Sequence, residues 1–395
     1  MTPVETIIFL QDREISNRDY ERFGIEPLQK EGFRVETWDI SPVLHPDVVP
    51  GEQPLPSLPA SGFLPKRLTG KGEILHAIDG LLPSTLVICF IGYSVSTLFV
   101  YQALSKRGIR YSVSGINTLP GIVRSMERYT SILNWDLSRK VLSAIMNSLI
   151  LRYYPLFNVQ PAYLCLVGGE KSHESLQYPM DFLHGRTILL AIHALDYDIY
   201  LKERDHPQPV EEDLAVYLDS NEFYHLDLKY IREPIPPWAM AYFSNLRRFF
   251  DHLERELGVR VVIAAHPLAQ YTPEQKAHFG AREVIQGRTA ELVKRCRFAI
   301  LHASTAVNLA VLFEKPIMFL TDHQYERYVV GPYVEAISKE LGKKPIYLDE
   351  PLPTDWDEHL EVDRGTYQYY KRSYIKTESS EDLPSWEILA RFLKG

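Results

Sequence analysis

The sequence predicts an α/β protein of two domains, each with a parallel β-sheet that helices cover on both faces. Three observations support this prediction. The chain has 395 residues, which is the length of two or three ordinary domains. Short apolar runs rich in β-branched residues alternate along the chain with segments of helical period. The run at 85–91 is apolar at almost every position, as expected for a strand buried on both faces.

Composition and charge narrow the class of protein. Hydrophobic residues make up 45% of the chain and charged residues 24%, which is typical of a soluble globular protein. The net charge of −8 gives no bulk attraction for nucleic acid, so no nucleic-acid partner is expected. Three cysteines lack metal-type spacing and are expected to be buried thiols of a cytoplasmic protein. We find no signal peptide and no apolar run of the ~20 residues that span a membrane.

The first half of the chain contains five predicted strands and four predicted helices. The strands are predicted at 6–10, 34–40, 85–91, 110–113 and 162–167. The helices are predicted at 20–31, 74–82, 95–107 and 120–154. The proline-rich stretch 41–66 is predicted to be a long loop, and the polar stretch 170–186 a linker.

The second half repeats the alternation of strands and helices. Its strands are predicted at 187–192, 214–218, 259–265, 284–286, 298–302 and 316–320. Its helices are predicted at 236–257, 289–296, 305–313, 367–375 and 386–393. The chain is thus expected to form two Rossmann-like domains facing across a cleft, at 1–175 and 186–365. Residues 366–395 are expected to form helices that pack back across the domains.

A histidine follows one of the buried strands of the second half. The strand at 259–265 leads directly into His266 and Pro267, and proline fixes the turn that follows the histidine. Ligands of open parallel sheets bind at the carboxyl ends of strands. An imidazole there can donate a hydrogen bond to a phosphate oxygen. Two further His-Pro dipeptides lie in proline-rich or charged loops, where we assign them no function.

The next buried strand leads into a second group of polar residues. His302 ends this strand, Ser304 and Thr305 precede a helix, and Asn308 lies one turn further on. Free N–H groups and hydroxyls at the start of a helix form an anion site, although Ser304 can also serve as an ordinary N-cap. Because two neighbouring strand ends carry such groups, we favour phosphate binding. The backbone of the strand-loop-helix step between them is a candidate to meet a nucleobase, at Gln286, Gly287 and Thr289, and Gly287 permits close approach.

These motifs resemble those of bacterial GT-B glycosyltransferases. The His-Pro dipeptide, the later Ser-Thr pair and the strand that begins Lys315-Pro316-Ile317 are similar to capsule and O-antigen Kdo transferases and bacterial sialyltransferases. The resemblance implies a metal-independent enzyme without cofactor that makes surface polysaccharide. It would transfer Kdo or a related nonulosonate from a CMP-activated sugar to a glycan or lipid-linked glycan. In those families the matching residues hold the nucleotide phosphate, which implies this role for His266, Ser304 and Thr305.

Transfer also requires a carboxylate that deprotonates the acceptor hydroxyl or attacks the sugar. The acidic motif of the sialyltransferases is missing from the first half. Asp219 and Asp227 follow the strand at 214–218 and are the candidates, with Glu222 a weaker third. Loop capping or a solvated role is the alternative for each acid.

Other functions remain open at this point. A UDP-sugar epimerase-like enzyme, a CDP-polyol-using enzyme and a non-catalytic sugar-nucleotide-binding protein of an assembly complex would share the fold. Residues 367–376 combine aromatic and basic side chains, which permits peripheral contact with the inner membrane or an assembly complex. The preferred interpretation of this segment is a helix that packs against the domains and keeps its basic face in solvent.

Overall fold

The structure is a computed structural model that describes residues 2–48, 65–121, 145–176, 178–231 and 233–395. These residues form two compact units. The first unit contains the described residues of 2–117, 145–193 and 379–395, and the second contains 118–121 and 194–378. Each unit is described by itself below.

The first unit has a seven-stranded sheet with strand order β3-β2-β1-β4-β5-β6-β7, and every neighbouring pair is parallel. Its strands are β1 (Thr6–Gln11), β2 (Arg34–Asp39), β3 (Lys66–Arg67), β4 (Thr85–Phe90), β5 (Arg110–Gly115), β6 (Leu164–Val167) and β7 (Ile188–Ala191). The helices between them are α1 (Asn17–Arg22), α2 (Ile25–Lys30), α3 (Ser41–Leu44), α4 (Lys71–Asp79), α5 (Leu98–Arg107), α6 (145–152) and α7 (Met180–Gly185). Short 3₁₀ turns occupy Tyr154–Phe157 and Ser172–Ser175.

The second unit has a six-stranded parallel sheet with strand order β10-β9-β8-β11-β12-β13. Its strands are β8 (Glu211–Leu218), β9 (Arg260–Ala265), β10 (Val284–Gln286), β11 (Cys296–Leu301), β12 (Ile317–Thr321) and β13 (Ile346–Tyr347). Its helices are α8 (Leu195–Arg204), α9 (Leu226–Tyr230), α10 (Ala239–Leu257), α11 (Pro273–Ala277), α12 (Thr289–Arg295), α13 (Val307–Leu312), α14 (Gly331–Glu340), α15 (Asp357–Leu360) and α16 (Arg364–Tyr370). A π turn at Lys371–Ile375 extends α16.

The long helix α10 shows how the sequence builds the core of the second unit. Apolar and aromatic residues recur every three or four positions, so that one face of the helix is buried against the sheet. That face carries Tyr242, Phe243, Leu246, Phe249, Phe250 and Leu253. The helix ends at Gly258, whose φ of 64° is the left-handed conformation that glycine adopts without a Cβ penalty.

The C-terminal helices divide between the two units. Tyr367 and Tyr370 of α16 are buried in the core of the second unit, and the Tyr367 hydroxyl donates to the carbonyl of Lys315 at 2.8 Å. The last helix, α17 (Ser385–Lys394), belongs to the first unit. Its Trp386 packs edge-on against Phe9, with ring centroids 5.1 Å apart.

The predicted fold class of two parallel-sheet α/β domains is confirmed, whereas the predicted domain boundary and some element bounds differ. The strand predicted to open the second domain is β7, which pairs with β6 and therefore belongs to the first sheet. The first unit thus extends to His193, beyond the predicted boundary at 175–186. The predicted linker 170–186 contains α7 and a 3₁₀ turn rather than unstructured chain.

Two predicted helices of the first unit also differ from the helices in the structure. The helix predicted at 20–31 is two helices, since Gly24 between them has a φ of 52° and lies against Trp386. Of the helix predicted at 120–154, residues 145–152 are helical and 122–144 lie outside the described residues. The predicted loop at 41–66 contains α3, and its residues 49–64 also lie outside the described part.

Within the described ranges, no helix combines the length and apolar character needed to cross a membrane.

Candidate functional site

The candidate site lies at the carboxyl edge of the second sheet, where the strand order reverses between β8 and β11. Ligands of open α/β sheets bind outside this reversal. Two hydrogen bonds tie the residues after β8 to strand β9 and to the loop after β11. The backbone N–H of Asp219 donates to the carbonyl of Ala264 at 3.1 Å, and the Ser220 hydroxyl donates to the carbonyl of Ala303 at 3.2 Å.

Asp219 and His266 are joined through the phenol of Tyr271. The Tyr271 hydroxyl donates to a carboxylate oxygen of Asp219 and accepts the backbone N–H of His266 at 3.2 Å. Asp219 is 5% exposed, and this burial raises the pKa of its carboxyl to about 6, although hydrogen bonds from Tyr271 and two backbone N–H groups oppose the shift. Asp219 is therefore mostly ionised at neutral pH but can bind a proton close to it.

A second imidazole stands beside His266. The Nε2 atoms of His225 and His266 are 3.3 Å apart, and their ring centroids are 4.7 Å apart. His225 is the N-cap of α9, where its Nδ1 accepts the backbone N–H of Asp227 at 3.1 Å. A carboxylate oxygen of Asp227 lies 3.5 Å from the same Nδ1. The three predicted catalytic residues, Asp219, Asp227 and His266, thus belong to one contiguous group.

Gln286 fixes the loop that carries His266 and Pro267. Its side-chain Nε2 lies within hydrogen-bonding distance of three backbone carbonyls, those of His266 (3.1 Å), Pro267 (3.0 Å) and Ala269 (2.9 Å). The side chain of Gln286 thus holds the histidine loop, while contact of the backbone here with a nucleobase stays a prediction. Gly287 follows with a φ of 80°, and Thr289 is the first residue of α12, so both lie at the predicted strand-loop-helix step.

The residues after β11 divide between the site and the protein interior. Ser304 and Thr305 are partly exposed, and the Ser304 hydroxyl accepts the backbone N–H of Ala306 at 3.2 Å. Asn308 is buried, and its side-chain amide donates to Asp196 of α8 at 3.0 Å. The prediction that Asn308 contacts a nucleotide sugar is therefore corrected, because its side chain serves the packing of α13 against α8.

His302 is also buried rather than exposed to a ligand. Its Nδ1 lies 3.0 Å from the Tyr217 hydroxyl, and its Nε2 is hydrogen-bonded to the Tyr242 hydroxyl. Burial lowers the pKa of His302 to about 3, so the ring is neutral. The hydroxyls of two tyrosines contact its two nitrogens, so the ring does not present a free nitrogen for the predicted contact with a nucleotide.

Glu222 lies in the same buried layer. The Tyr325 hydroxyl donates to Oε2 of Glu222 at 2.5 Å, and Oε1 lies 3.8 Å from Nδ1 of His302. Burial raises the pKa of Glu222 to about 8, and the nearby charge of Asp219 adds to the shift. The carboxyl is therefore protonated at neutral pH, which disfavours Glu222 as a base.

Sequence analysis missed three side chains of this region: the imidazole of His225 and the phenols of Tyr271 and Tyr325. None belongs to a motif, and each reaches its partner only because of the course of a loop. In the part of the chain that the structure describes, no group of three or more His, Cys, Asp or Glu residues could hold a metal ion.

No family model and no curated protein matches the chain. Among solved structures, the chain is similar to CalG4, the calicheamicin glycosyltransferase, with 13% identity, coverage of 94% of both chains and a TM-score of 0.48. It is also similar to MurG of Acinetobacter baumannii (8% identity, 99% of both chains, TM-score 0.46). A third is the UDP-GlcNAc 2-epimerase of Methanocaldococcus jannaschii (11% identity, 93% of this chain and 98% of that chain, TM-score 0.40). At such identities and TM-scores, these similarities add nothing to what the two sheets show.

Proposed function

We propose that the chain is a glycosyltransferase of the GT-B type that binds the nucleotide of an activated sugar at the carboxyl edge of its second sheet. The observation that carries this proposal is the convergence of His266, Asp219 and the Ser304 loop where the strand order reverses. This position is where open α/β sheets bind nucleotides. The resemblance of the His-Pro and Ser-Thr motifs to GT-B enzymes supports the same function.

His266, Ser304 and Thr305 would bind the phosphate of the donor. An imidazole N–H and two hydroxyls are hydrogen-bond donors suited to an anionic oxygen. The bond between the sugar's anomeric carbon and the phosphate oxygen breaks during transfer, and its electron pair leaves with the nucleotide. Donors aimed at that oxygen stabilise the developing charge, which accelerates the step.

Asp219 is the proposed general base. The acceptor hydroxyl oxygen forms the new bond to the anomeric carbon, and its proton passes to the Asp219 carboxylate. A base works best when its pKa lies near the working pH, and the pKa of about 6 meets this requirement. Asp227 remains the second candidate, and its side chain is 63% exposed.

The proposed donor is a CMP-activated sugar, Kdo or a related nonulosonate, and the proposed acceptor is a glycan or lipid-linked glycan of a bacterial surface polysaccharide. The motif resemblance supports this choice. However, residues that bind the phosphate do not distinguish one nucleobase from another. A UDP-sugar or CDP-polyol donor is therefore the second candidate, and a binding test with CMP, UMP and CDP-glycerol separates these donors.

Transfer of sugar by the wild type and by His266→Ala tests the proposed function. Loss of one donor to the developing charge is expected to lower kcat by about 100-fold or more. His206 provides a matched control, because it also precedes a proline but lies in a loop with its side chain 67% exposed. His206→Ala should transfer sugar at the wild-type rate. Wild-type rates in His266→Ala would contradict the site.

The base is assigned by a second pair of variants. Asp219→Asn is expected to lower kcat by about 100-fold or more with little change in nucleotide affinity. Asp227→Asn should have a much smaller effect on kcat. The opposite result would assign the base to Asp227, and wild-type rates in both variants would place the base outside this group.

A further inference from the structure

Helix α6 and the 3₁₀ turn that follows it expose a strip of apolar side chains in the first unit. The inner side of this segment is buried, because Ile150, Leu151 and Tyr154 belong to the core of the unit or pack against it. A surface helix normally carries polar residues on its outer side. Here the outer side carries five large apolar residues that are 39–78% exposed, and these five residues are called the α6 strip: Ile145, Met146, Leu149, Tyr153 and Leu156.

The spacing of these residues places them on one side of the segment. Ile145, Leu149 and Tyr153 follow one another at intervals of four, which makes them neighbours on a helix surface. The exposed Val95 adjoins them, since its backbone N–H donates to the side-chain oxygen of Asn147 at 2.9 Å. Contiguous apolar surface of this kind on a folded protein marks an interaction site.

The α6 strip belongs to a basic part of an acidic chain. Residues 80–169 contain eight lysines and arginines and two acidic residues, whereas the whole chain has a net charge of −8. Arg152 is exposed at the end of α6, and Lys106 is exposed in the last turn of α5. Helix α5 contacts the 3₁₀ turn, because the Gln102 side chain donates to the carbonyl of Phe157 at 3.0 Å. Apolar side chains among positive charges are typical of surfaces that bind anionic membranes.

A second copy of the chain fits this surface less well. The α6 strip extends over 12 residues, so it is about 20 Å long on a helix about 10 Å in diameter. A stable interface between proteins buries about 800 Å² on each partner, several times the area of such a strip. Two basic surfaces would also repel each other. Nucleic acid would be attracted by the charge, but its phosphates would leave the exposed aliphatic side chains without apolar contacts.

We propose that the α6 strip binds the surface of an anionic lipid bilayer. Its aliphatic side chains would enter the boundary between headgroups and acyl chains, while Arg152 would remain beside the lipid phosphates. Tyr153 suits the same boundary, because its ring is apolar and its hydroxyl is polar. The inference does not depend on the proposed function, although a lipid-linked acceptor would be found at such a surface.

The other segment considered for membrane contact, residues 367–376, offers less apolar surface. Three of its tyrosines, Tyr367, Tyr370 and Tyr374, are buried in the core of the second unit. Their rings are therefore engaged in packing and are not available to lipid.

Flotation of the protein with lipid vesicles measures the binding. The anionic probe is phosphatidylcholine with about 30% phosphatidylglycerol, and pure phosphatidylcholine is the neutral control. The wild type should float with the anionic vesicles, and added salt should weaken this binding. Leu149→Ser/Leu156→Ser should lower the vesicle partition coefficient by about tenfold or more, because two exposed leucines no longer enter the bilayer. Its thermal midpoint should match the wild type, since both side chains are exposed.

Two further variants separate apolar contact from charge. Leu82→Ser is the matched control, because Leu82 is a 65% exposed leucine of the same unit that lies between α4 and β4, outside the α6 strip. It should bind vesicles like the wild type. Arg152→Gln should weaken binding to the anionic vesicles by about fivefold, the effect of one positive charge near the surface, and leave binding to the neutral vesicles unchanged.

Three outcomes would overturn the inference. One is a wild type that floats with neither kind of vesicle. Another is equal vesicle binding by the wild type and Leu149→Ser/Leu156→Ser, which would place the lipid contact elsewhere on the chain. The third is a wild-type dimer in sedimentation without vesicles that the same double variant dissociates, which would assign the α6 strip to a second copy. None of these outcomes tests the proposed function, which depends on residues of the second unit.

Discussion

Replacing Glu222 with Gln should remove much of the pH dependence of the second unit's stability between about pH 5 and pH 8. The Glu222 carboxyl is buried, and its pKa is raised from an ordinary value of 4.5 to about 8. Between these two values, the folded protein keeps the proton that the unfolded chain has released. The contribution of this group to stability is therefore complete below pH 4.5 and is lost as the pH rises through 8.

The magnitude follows from the one extra proton that the folded state binds. The free energy of unfolding should fall by about 1.4 kcal/mol for each pH unit in this interval through Glu222 alone. Between pH 5.5 and pH 7.5 the loss is roughly 2–3 kcal/mol. Gln keeps an oxygen that can accept the Tyr325 hydroxyl and carries no titrating proton, so the variant should lack this loss.

Urea unfolding at several pH values, for the wild type and Glu222→Gln, measures the difference in slope. Asp219 also has a raised pKa and is present in both proteins, so the difference in slope reports Glu222 together with its interaction with Asp219. Glu326 is an exposed glutamate next to Tyr325, and Glu326→Gln is the matched control that should keep the wild-type slope. Equal slopes in the wild type and Glu222→Gln would show that burial does not keep this carboxyl protonated.

Three further substitutions test other parts of the structure. Tyr271→Phe removes the hydroxyl that donates to Asp219, and the acidic limb of the pH profile of kcat/KM should move up by about one pH unit or more. Lys294→Met removes an ammonium group that donates to three backbone carbonyls in and just after the last turn of α8, which should lower the free energy of unfolding by about 1–3 kcal/mol in urea titrations. Gly331→Ala would place a methyl group against the backbone carbonyl of Tyr325, and thermal unfolding should show a loss of about 2 kcal/mol or more. A wild-type profile in the first variant, or wild-type stability in either of the others, would contradict the corresponding contact.

Hydrophobic patterning predicted the bounds of several strands closely, both for the half-buried edge strand β10 and for the buried strand β11. The strand Val284–Gln286 has its predicted bounds, and Cys296–Leu301 differs by one or two residues at each end. The strand β8 begins at Glu211, three residues before the predicted start. These three residues are charged, so hydrophobic patterning does not mark them as part of a strand. Arg260 and Arg295 bind the Glu211 carboxylate from distant parts of the chain, and no local pattern reveals these partners.

Patterning could not determine which sheet a strand joins. The strand β7 was correctly predicted as a strand but assigned to the second domain. Its pairing with β6 depends on contacts between Leu164 and Ile188 and their neighbours, which the strand's own sequence does not specify. Local signals therefore define elements, while the boundary between the units depends on tertiary pairing.

In the candidate site, too, some features follow from local sequence and others depend on tertiary contacts. His266 and Asp219 were each picked out because they follow apolar strands, and the structure links them through the Tyr271 hydroxyl at one sheet edge. The position of His302 after a strand was also predicted, but its burial depends on Tyr217 and Tyr242, which come from other elements. The approach of His225 to His266 depends on the path of a loop and could not be predicted from spacing.

The second unit is proposed to bind a nucleotide phosphate at the carboxyl edge of its sheet, beside His266 and the loop of Ser304. A crystal structure of the protein with CMP or UMP would show where the phosphate lies. We expect a phosphate oxygen within about 3 Å of the His266 imidazole and of the Ser304 or Thr305 hydroxyl. A nucleotide bound elsewhere on the chain would rule out this site.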